Sequence, residues 1–175
     1  MTRVIDPKNY LEASLREFFD QGDNMEIMLR IIRNELLSLR TLDWYISNES
    51  KKKNTMFTTR SGKLFNVFME YKSQLKSYSK RMFDPFKRGD RIVCKDRTGE
   101  EFSTTCGQLN FFRWVIKNNL IEECMKRIDE VEEDMVLSMR QRKTNARLDE
   151  KRKELSRAAI KSCQNIKTRV TITFE

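Results

Sequence analysis

The sequence contains no histidine. This absence removes the commonest general base and excludes the Ser–His and Cys–His pairs that activate many nucleophiles. The Gly-rich phosphate loops GxxxxGKS/T and GxGxxG are also absent. Carboxylates are numerous enough for a glycosidase pair, but they occur in runs that are typical of solvated helix faces. The sequence therefore predicts a protein that is not an enzyme, with no catalytic residue and no cofactor.

Cysteine is scarce and irregularly spaced. The four cysteines are Cys94, Cys106, Cys124 and Cys163, and no two of them form a CxxC pair. Without histidine, a zinc site would need all four of these scattered residues to converge. We expect no metal site, and we interpret the cysteines as small buried residues of a protein kept in a reducing compartment.

Glycine and proline are also rare, with 5 and 2 residues respectively. Sandwiches and barrels need frequent turn residues, so the composition disfavours them and favours helices. No apolar run approaches the roughly 20 residues that span a bilayer, and the polar segment 1–10 lacks the apolar core of a signal peptide. The sequence predicts a protein that is not transmembrane and that stays in a cytosolic or nuclear space.

Charge is what the sequence has in excess. Charged residues make up 35% of the chain, the formal net charge is +9 and the pI is about 9.5. A typical soluble domain has roughly 25% charged residues. A basic excess of this kind favours an anionic partner, such as nucleic acid, acidic lipid or an acidic protein face. Solubility alone is the alternative explanation.

The periodicity of apolar residues predicts a mainly α fold: a helical bundle with a long C-terminal helix and a small antiparallel β-hairpin or three-stranded sheet. We expect a single domain over residues 1–175. Its predicted segments are an N-terminal helical hairpin (1–46), a basic loop (47–62), a core with the β-hairpin (63–119), a long helix (120–166) and a terminal strand (167–175).

Within these segments the predicted boundaries are more specific. Helices are expected from Pro7, from about Met25 to Ile46, from about Lys63 to Arg81 and from Gln108 to Lys117. The hairpin is expected to pair residues 91–95 with residues 100–103, and the terminal strand would add a third strand or pair with a neighbouring molecule.

The long helix has two blocks of opposite charge. Residues 122–134 are mainly acidic, and residues 140–161 are mainly basic. Opposite blocks on one axis suit antiparallel self-association or docking in a repeating lattice. Two unrelated solvated faces explain the pattern equally well.

Basic residues in three places are the candidate contacts to a partner or an anion. They lie in the predicted loop, in the third helix with its following turn, and in the long helix: Lys51, Lys52, Lys53, Lys72, Lys76, Lys80, Lys87, Arg88, Arg140, Arg142, Lys143, Arg147, Lys151 and Arg152. Residues 60–97 contain eleven basic and four acidic residues with interleaved aromatics, a pattern that suits nucleic acid. Core packing explains those aromatics more simply.

Two stretches, SYSKRMFDPFKRGDRI (77–92) and TTCGQLNFFRWVIKNN (104–119), resemble small basic proteins of large nucleocytoplasmic double-stranded DNA viruses, the iridoviruses and their relatives. The shared pattern, FDPFxRxxxI followed by TTxGQLNFFRWxIxN, covers about residues 77–124. Within it, we interpret Phe83, Phe86, Phe111, Phe112 and Trp114 as an apolar core cluster that needs no ligand.

The resemblance implies a viral protein and a virion component. We expect a minor capsid or cement protein that links capsomers, made in the host cytoplasm and located in the capsid interior. Its expected partners are other capsid proteins and further copies of itself, with nucleic acid or an inner-membrane surface as additional candidates. A basic DNA-binding or chromatin-like protein is the alternative, and a regulatory protein that binds a host partner is a minor third.

Overall fold

The computed structural model describes residues 7–59 and 62–161, with side chains described for residues 9–59 and 62–145. The predicted mainly α fold is confirmed. The helices are α1 (Pro7–Asp20), α2 (Asn24–Ile32), α3 (Leu39–Trp44), a π-helical turn (Tyr45–Glu49), α4 (Ser50–Lys53), α5 (Val67–Tyr78), α6 (Cys106–Lys117), α7 (Leu120–Met125) and α8 (Ile128–Lys161). The strands are β1 (Met56–Thr58), β2 (Leu64–Asn66), β3 (Arg91–Lys95) and β4 (Glu101–Thr105).

The chain divides into two compact units, residues 1–135 and residues 136–175. The hydrophobic core lies in the first unit, where α1 packs against both α2 and α6. In the second unit, the structure describes the backbone of the C-terminal part of α8, residues 136–161.

The second predicted helix, residues 25–46, is wrong as a single element. It is interrupted after α2, where Asn34 has a left-handed φ of 60°. The chain re-enters a helix at Ser38, whose side-chain oxygen accepts a hydrogen bond from the Thr41 N–H at 3.0 Å. This N-cap starts α3, because it satisfies one of the first free backbone N–H groups.

The predicted basic loop, residues 47–62, is also wrong. The π-helical turn follows α3 and leads into α4 without a break in helical dihedral angles, so residues 39–53 form one continuous helix. Tyr45 and Ile46 are fully buried and fix this helix in the core. It ends at Asn54, which adopts the left-handed conformation common at helix C-termini. Polar composition alone predicts a loop here, but the lysines lie on the exposed side of a helix that is fixed in the core.

The third helix begins later than predicted, because residues 64–66 form a strand. β1 and β2 pair antiparallel, with Phe57 opposite Phe65. Phe65 is buried and Leu64 is exposed, so Leu64 takes no part in the core. The α5 helix starts at Val67, where the Asn66 side chain accepts a hydrogen bond from the Met69 N–H at 3.0 Å.

The predicted β-hairpin is confirmed. β3 and β4 pair antiparallel from Arg91 opposite Thr105 to Lys95 opposite Glu101. In the described part of the chain this sheet has two strands. The predicted terminal strand, residues 167–175, lies outside the described residues. Thr105 ends β4 and caps α6, since its hydroxyl accepts a hydrogen bond from the Gln108 N–H at 3.1 Å.

The α6 helix is the buried centre of the fold, and its residues are apolar on nearly every side. Its side chains from Leu109 to Phe112 are at most 2% exposed. Two of its polar side chains bind the chain that follows α5: Gln108 Nε2 donates to the Pro85 carbonyl at 2.7 Å, and Asn110 Nδ2 donates to the Met82 carbonyl at 3.0 Å. These bonds satisfy buried polar groups and hold the FDPF segment, residues 83–86, against α6.

Four of the five aromatics of the predicted core motif are buried in the structure. Phe83 is 1% exposed and lies edge-on to both Phe111 and Trp114, with ring centroids 5.6 Å apart in each pair. Phe112 is fully buried. Phe86 is different: it is half-buried, and the Arg88 guanidinium lies over its ring at 5.4 Å. Phe86 therefore lies outside the buried core, contrary to its predicted place in the motif.

The predicted long helix, residues 120–166, begins with a break. The α7 helix ends at Met125 and α8 starts at Ile128, with Lys126 and Arg127 between them. From there α8 is continuous to Lys161, without interruption over residues 140–147. Val131 is fully buried, and the exposed apolar side chains Val136 and Leu137 follow it.

Candidate interaction surfaces

The three consecutive lysines of α4 are partly engaged within the chain. Lys52 Nζ lies 2.7 Å from Asp134 Oδ1, and Lys53 Nζ lies 2.8 Å from Glu130 Oε2. Lys53 also lies 3.0 Å from a carboxylate oxygen of the fully buried Glu49. Lys51 lies over the Phe68 ring at 5.6 Å, whereas Lys52 lies over the Trp44 ring at 5.6 Å and also pairs with Asp134.

The acidic start of α8 is held by the α3–α4 helix. Asp134 accepts hydrogen bonds from Lys52 and from Trp44 Nε1, the latter at 2.8 Å. Burial raises the pKa of Asp134, but these hydrogen bonds outweigh it and hold the pKa below its ordinary value. The hydrogen bond from Lys53 likewise lowers the pKa of Glu130. These carboxylates are therefore less available for antiparallel pairing with a second copy.

The candidate cations around α5 remain on the surface. Lys72 lies over the Phe68 ring at 5.7 Å, and Lys76 and Lys80 are exposed. Lys87 is half-buried. Arg88 binds the buried Asp84 through two parallel hydrogen bonds: Nε to Oδ2 at 2.7 Å and Nη2 to Oδ1 at 2.8 Å.

Part of this cationic surface borders a cleft of 460 Å³. Its walls come from α3, the π-helical turn, α5 and the FDPF segment: Asp43, Ser47, Tyr71, Leu75, Lys80, Arg81, Phe83, Asp84, Pro85 and Arg88. Burial and the nearby Asp84 raise the pKa of Asp43 to about 6, although Arg88 acts in the opposite direction. The sequence singled out Lys80 and Arg88, but not Asp43, because a lone aspartate inside a helix has no motif.

An apolar groove of 550 Å³ lies between α1 and the end of α5. Tyr10, Leu11, Tyr78 and Met82 line it, and Tyr10 is 69% exposed. Arg113 forms a polar part of the wall, since it donates hydrogen bonds to Ser14 Oγ at 3.1 Å and to Asn110 Oδ1 at 2.8 Å. The sequence predicted a helix that includes Tyr78 but gave no signal that the end of this helix borders an open groove.

Positive charge is concentrated in the second unit. Residues 1–135 contain 24 Lys and Arg against 22 Asp and Glu, so this unit is nearly neutral. Residues 136–161, the outer part of α8, contain 9 Lys and Arg against 3 Asp and Glu. Arg140, Arg142 and Lys143 are exposed there. For Arg147, Lys151 and Arg152 the structure describes the helical backbone alone.

Two classes of site have no candidate in the described chain. Among the residues whose side chains the structure describes, 9–59 and 62–145, no cluster of three or more cysteine or acidic residues is arranged to hold a metal ion. In the same ranges, no helix combines the length and the apolar character needed to cross a bilayer.

Comparison with known proteins gives a relative and a family. An uncharacterized protein of Acanthamoeba polyphaga mimivirus is 43% identical over 117 residues, which cover 62% of this chain and 45% of that protein. The chain thus matches less than half the length of this curated relative. No solved structure matches it significantly. The chain is therefore similar to a protein of a large nucleocytoplasmic DNA virus, while the shared motif and the link to iridoviruses stay predictions. Because the profile of the family of unknown function DUF7197 matches residues 4–171, nearly the whole sequence, this protein belongs to that family.

Proposed function

We propose that this protein is a structural virion protein, a minor capsid or cement protein that links capsomers of a large icosahedral double-stranded DNA virus, and that it is not an enzyme. The observation that carries the proposal is the apolar groove of Tyr10, Leu11, Tyr78 and Met82. A groove that exposes contiguous apolar surface on a small domain is typical of a protein–protein contact.

The composition of the groove suits a permanent protein contact. Tyrosine, methionine and arginine are enriched in interface cores, and all three line this groove. Arg113 is held by Ser14 and Asn110, so its guanidinium is already oriented before a partner arrives. Less side-chain entropy is then lost on binding.

The basic part of α8 supports the same proposal. A nearly neutral globular unit joined to a basic helix can bind a capsid protein through the first and an anionic neighbour through the second. That neighbour is an acidic face of another capsid protein, an inner-membrane surface or the genome. The protein would be made in the host cytoplasm and incorporated into the capsid interior.

The test is incorporation into virions. Quantitative mass spectrometry of purified, salt-washed virions, separated into shell and nucleoprotein core, should find the protein in the shell at a fixed ratio to the major capsid protein. Tyr10→Ser should lower this ratio severalfold without changing the fold. Val93→Ser is the matched control, because Val93 is also an exposed apolar residue, at 56%, and lies outside the groove. Equal incorporation of both variants, or absence from virions, contradicts the proposal.

A second candidate function, DNA binding, is favoured by the concentration of charge in residues 136–161. Contacts to phosphate release counterions, so the affinity would fall steeply and log-linearly with salt concentration. In the same fractionation, a DNA-binding protein would stay with the genome and be lost from it as salt rises. Retention in the shell at high salt would exclude this candidate.

A further inference from the structure

The 460 Å³ cleft between α3 and α5 contains polar groups that the fold itself does not use. It falls in the size range of small-molecule sites. Asp84 and Arg88 satisfy each other through their two hydrogen bonds. Asp43 is different, since no described residue donates a hydrogen bond to its carboxylate.

Two further groups of the cleft are also available to a ligand. The Tyr71 side chain packs against Phe83 and Trp114, yet its hydroxyl has no hydrogen-bond partner among the described residues. Lys80 is exposed and forms no ion pair with any residue of the described ranges. The cleft thus offers a hydrogen-bond-accepting carboxylate at Asp43 and a cationic group at Lys80.

The charges of the walls restrict the ligand. Lys80, Arg81 and Arg88 all line the cleft, so a ligand that is only cationic would be repelled by them. A ligand that is only anionic would be repelled by Asp43. A molecule with neutral N–H donors at one end and an anionic group at the other avoids both kinds of repulsion.

From this juxtaposition, the geometry points to a guanine nucleotide as the ligand, with the base on Asp43 and the phosphate on Lys80. The two oxygens of a carboxylate match two parallel donors, and on the Watson–Crick edge of guanine N1–H and the N2 amino group provide them. The corresponding edges of adenine, cytosine and uracil each offer one donor beside an acceptor that a carboxylate repels. Lys80 then supplies a point charge to the phosphate, as lysine commonly does.

The ionisation of Asp43 adds a second, independent signature. The groups that face Asp43 are Asp84 in the FDPF segment, Arg88 just after that segment and Tyr71 in α5, with Lys80 and Arg81 in the turn that follows α5. Burial and Asp84 set the pKa of Asp43 at about 6. Because the ionised carboxylate accepts the guanine donors, binding should weaken as the pH falls from 7 to 5.

The experiment measures binding of GMP, AMP, CMP and inorganic phosphate to the full-length protein by calorimetry or by NMR shift changes. GMP should bind best. Asp43→Asn should weaken GMP at least about tenfold, because one of the two donors then faces an amide N–H₂. Lys80→Ala should weaken GMP and phosphate together, and Lys95→Ala, an exposed lysine on β3, should change neither.

A guanosine-containing single-stranded oligonucleotide and free GMP distinguish the two sources of this chemistry. Tighter binding of the oligonucleotide assigns the cleft to nucleic acid, and equal or weaker binding assigns it to a free nucleotide.

Three results would overturn the inference. The first two are equal affinity for all nucleotides and binding of phosphate as tight as that of GMP. The third is binding of arginine methyl ester in place of GMP, which would mark a pocket for a basic side chain of a protein partner. If Asp43→Asn fails to fold, the pH profile of the unaltered protein decides, since pH-independent binding also refutes the role of Asp43.

Discussion

Replacing Phe83 with alanine should destabilise the first unit more than replacing Phe86, the second phenylalanine of the FDPF segment, with alanine. The Phe83 ring is 1% exposed and contacts four aromatic rings, those of Tyr71, Tyr78, Phe111 and Trp114, at centroid distances of 5.6–6.3 Å. Truncating a buried phenylalanine typically costs about 3–5 kcal/mol of unfolding free energy. Aromatic pairs contribute beyond buried area, so we expect a loss of about 4 kcal/mol.

Phe86→Ala provides the matched control, because it removes the same side chain three residues later. Phe86 is half-buried and contacts Arg88, so the expected loss is below about 1 kcal/mol. Urea unfolding followed by tryptophan fluorescence measures both, since Trp114 lies beside Phe83. Equal destabilisation by the two substitutions, or a loss below about 1.5 kcal/mol for Phe83→Ala, would refute this account of the motif.

Three further predictions follow from single positions. Gly107→Ala should lower stability by at least about 2 kcal/mol in thermal unfolding, because an added Cβ would collide with the backbone carbonyl of Arg81; unchanged stability would show that this segment moves freely. The pKa of Asp43 is raised to about 6, so the native state holds this proton more tightly than the unfolded chain, and stability falls as the pH rises from about 4 to 6. Asp43→Asn should therefore stabilise the protein by about 2 kcal/mol at pH 7.5 and hardly at all at pH 4, whereas an equal effect at both pH values would exclude ionisation as the cause. Burial raises the pKa of the Cys124 thiol to about 12, so iodoacetamide at pH 8 should leave it unmodified in the native protein and alkylate it in urea; native labelling would show that α7 opens.

The parts of the fold that the sequence predicted correctly are those with strong periodicity. The α6 helix has apolar residues on nearly every side and is buried, and the β3–β4 hairpin follows its alternating pattern. The boundaries that failed depend on single polar side chains. Ser38 and Asn66 cap helices at positions inside the ranges predicted as continuous helices, residues 25–46 and residues 63–81. The spacing of apolar residues does not detect such a cap, because the spacing does not show where the backbone leaves one helix and enters the next.

The candidate surfaces show a similar division. The basic positions were visible in the sequence, but their partners were not. Lys52 binds Asp134, a residue 82 positions away, and Arg88 binds Asp84, four residues earlier in a non-helical segment. The groove around Tyr10 and the carboxylate of Asp43 had no sequence signal, because each arises from elements distant in the chain. Local patterns report which side chains are present, and the tertiary fold determines which of them remain available.

The π-helical turn Tyr45–Glu49 sets the phase between the two halves of the helix that contains it. Trp44 precedes the turn and Lys52 follows it, yet both reach the Asp134 carboxylate, at 2.8 and 2.7 Å. A π turn accommodates one residue more than an α-turn, and each residue of an α-helix rotates the chain by about 100°. Deleting one residue from this turn would restore a regular helix with Trp44 and Lys52 seven positions apart. Seven steps of about 100° nearly complete two turns, so both side chains would still face α8. Within this family, we therefore expect members that are one residue shorter here to lack the π turn and to keep both contacts to α8.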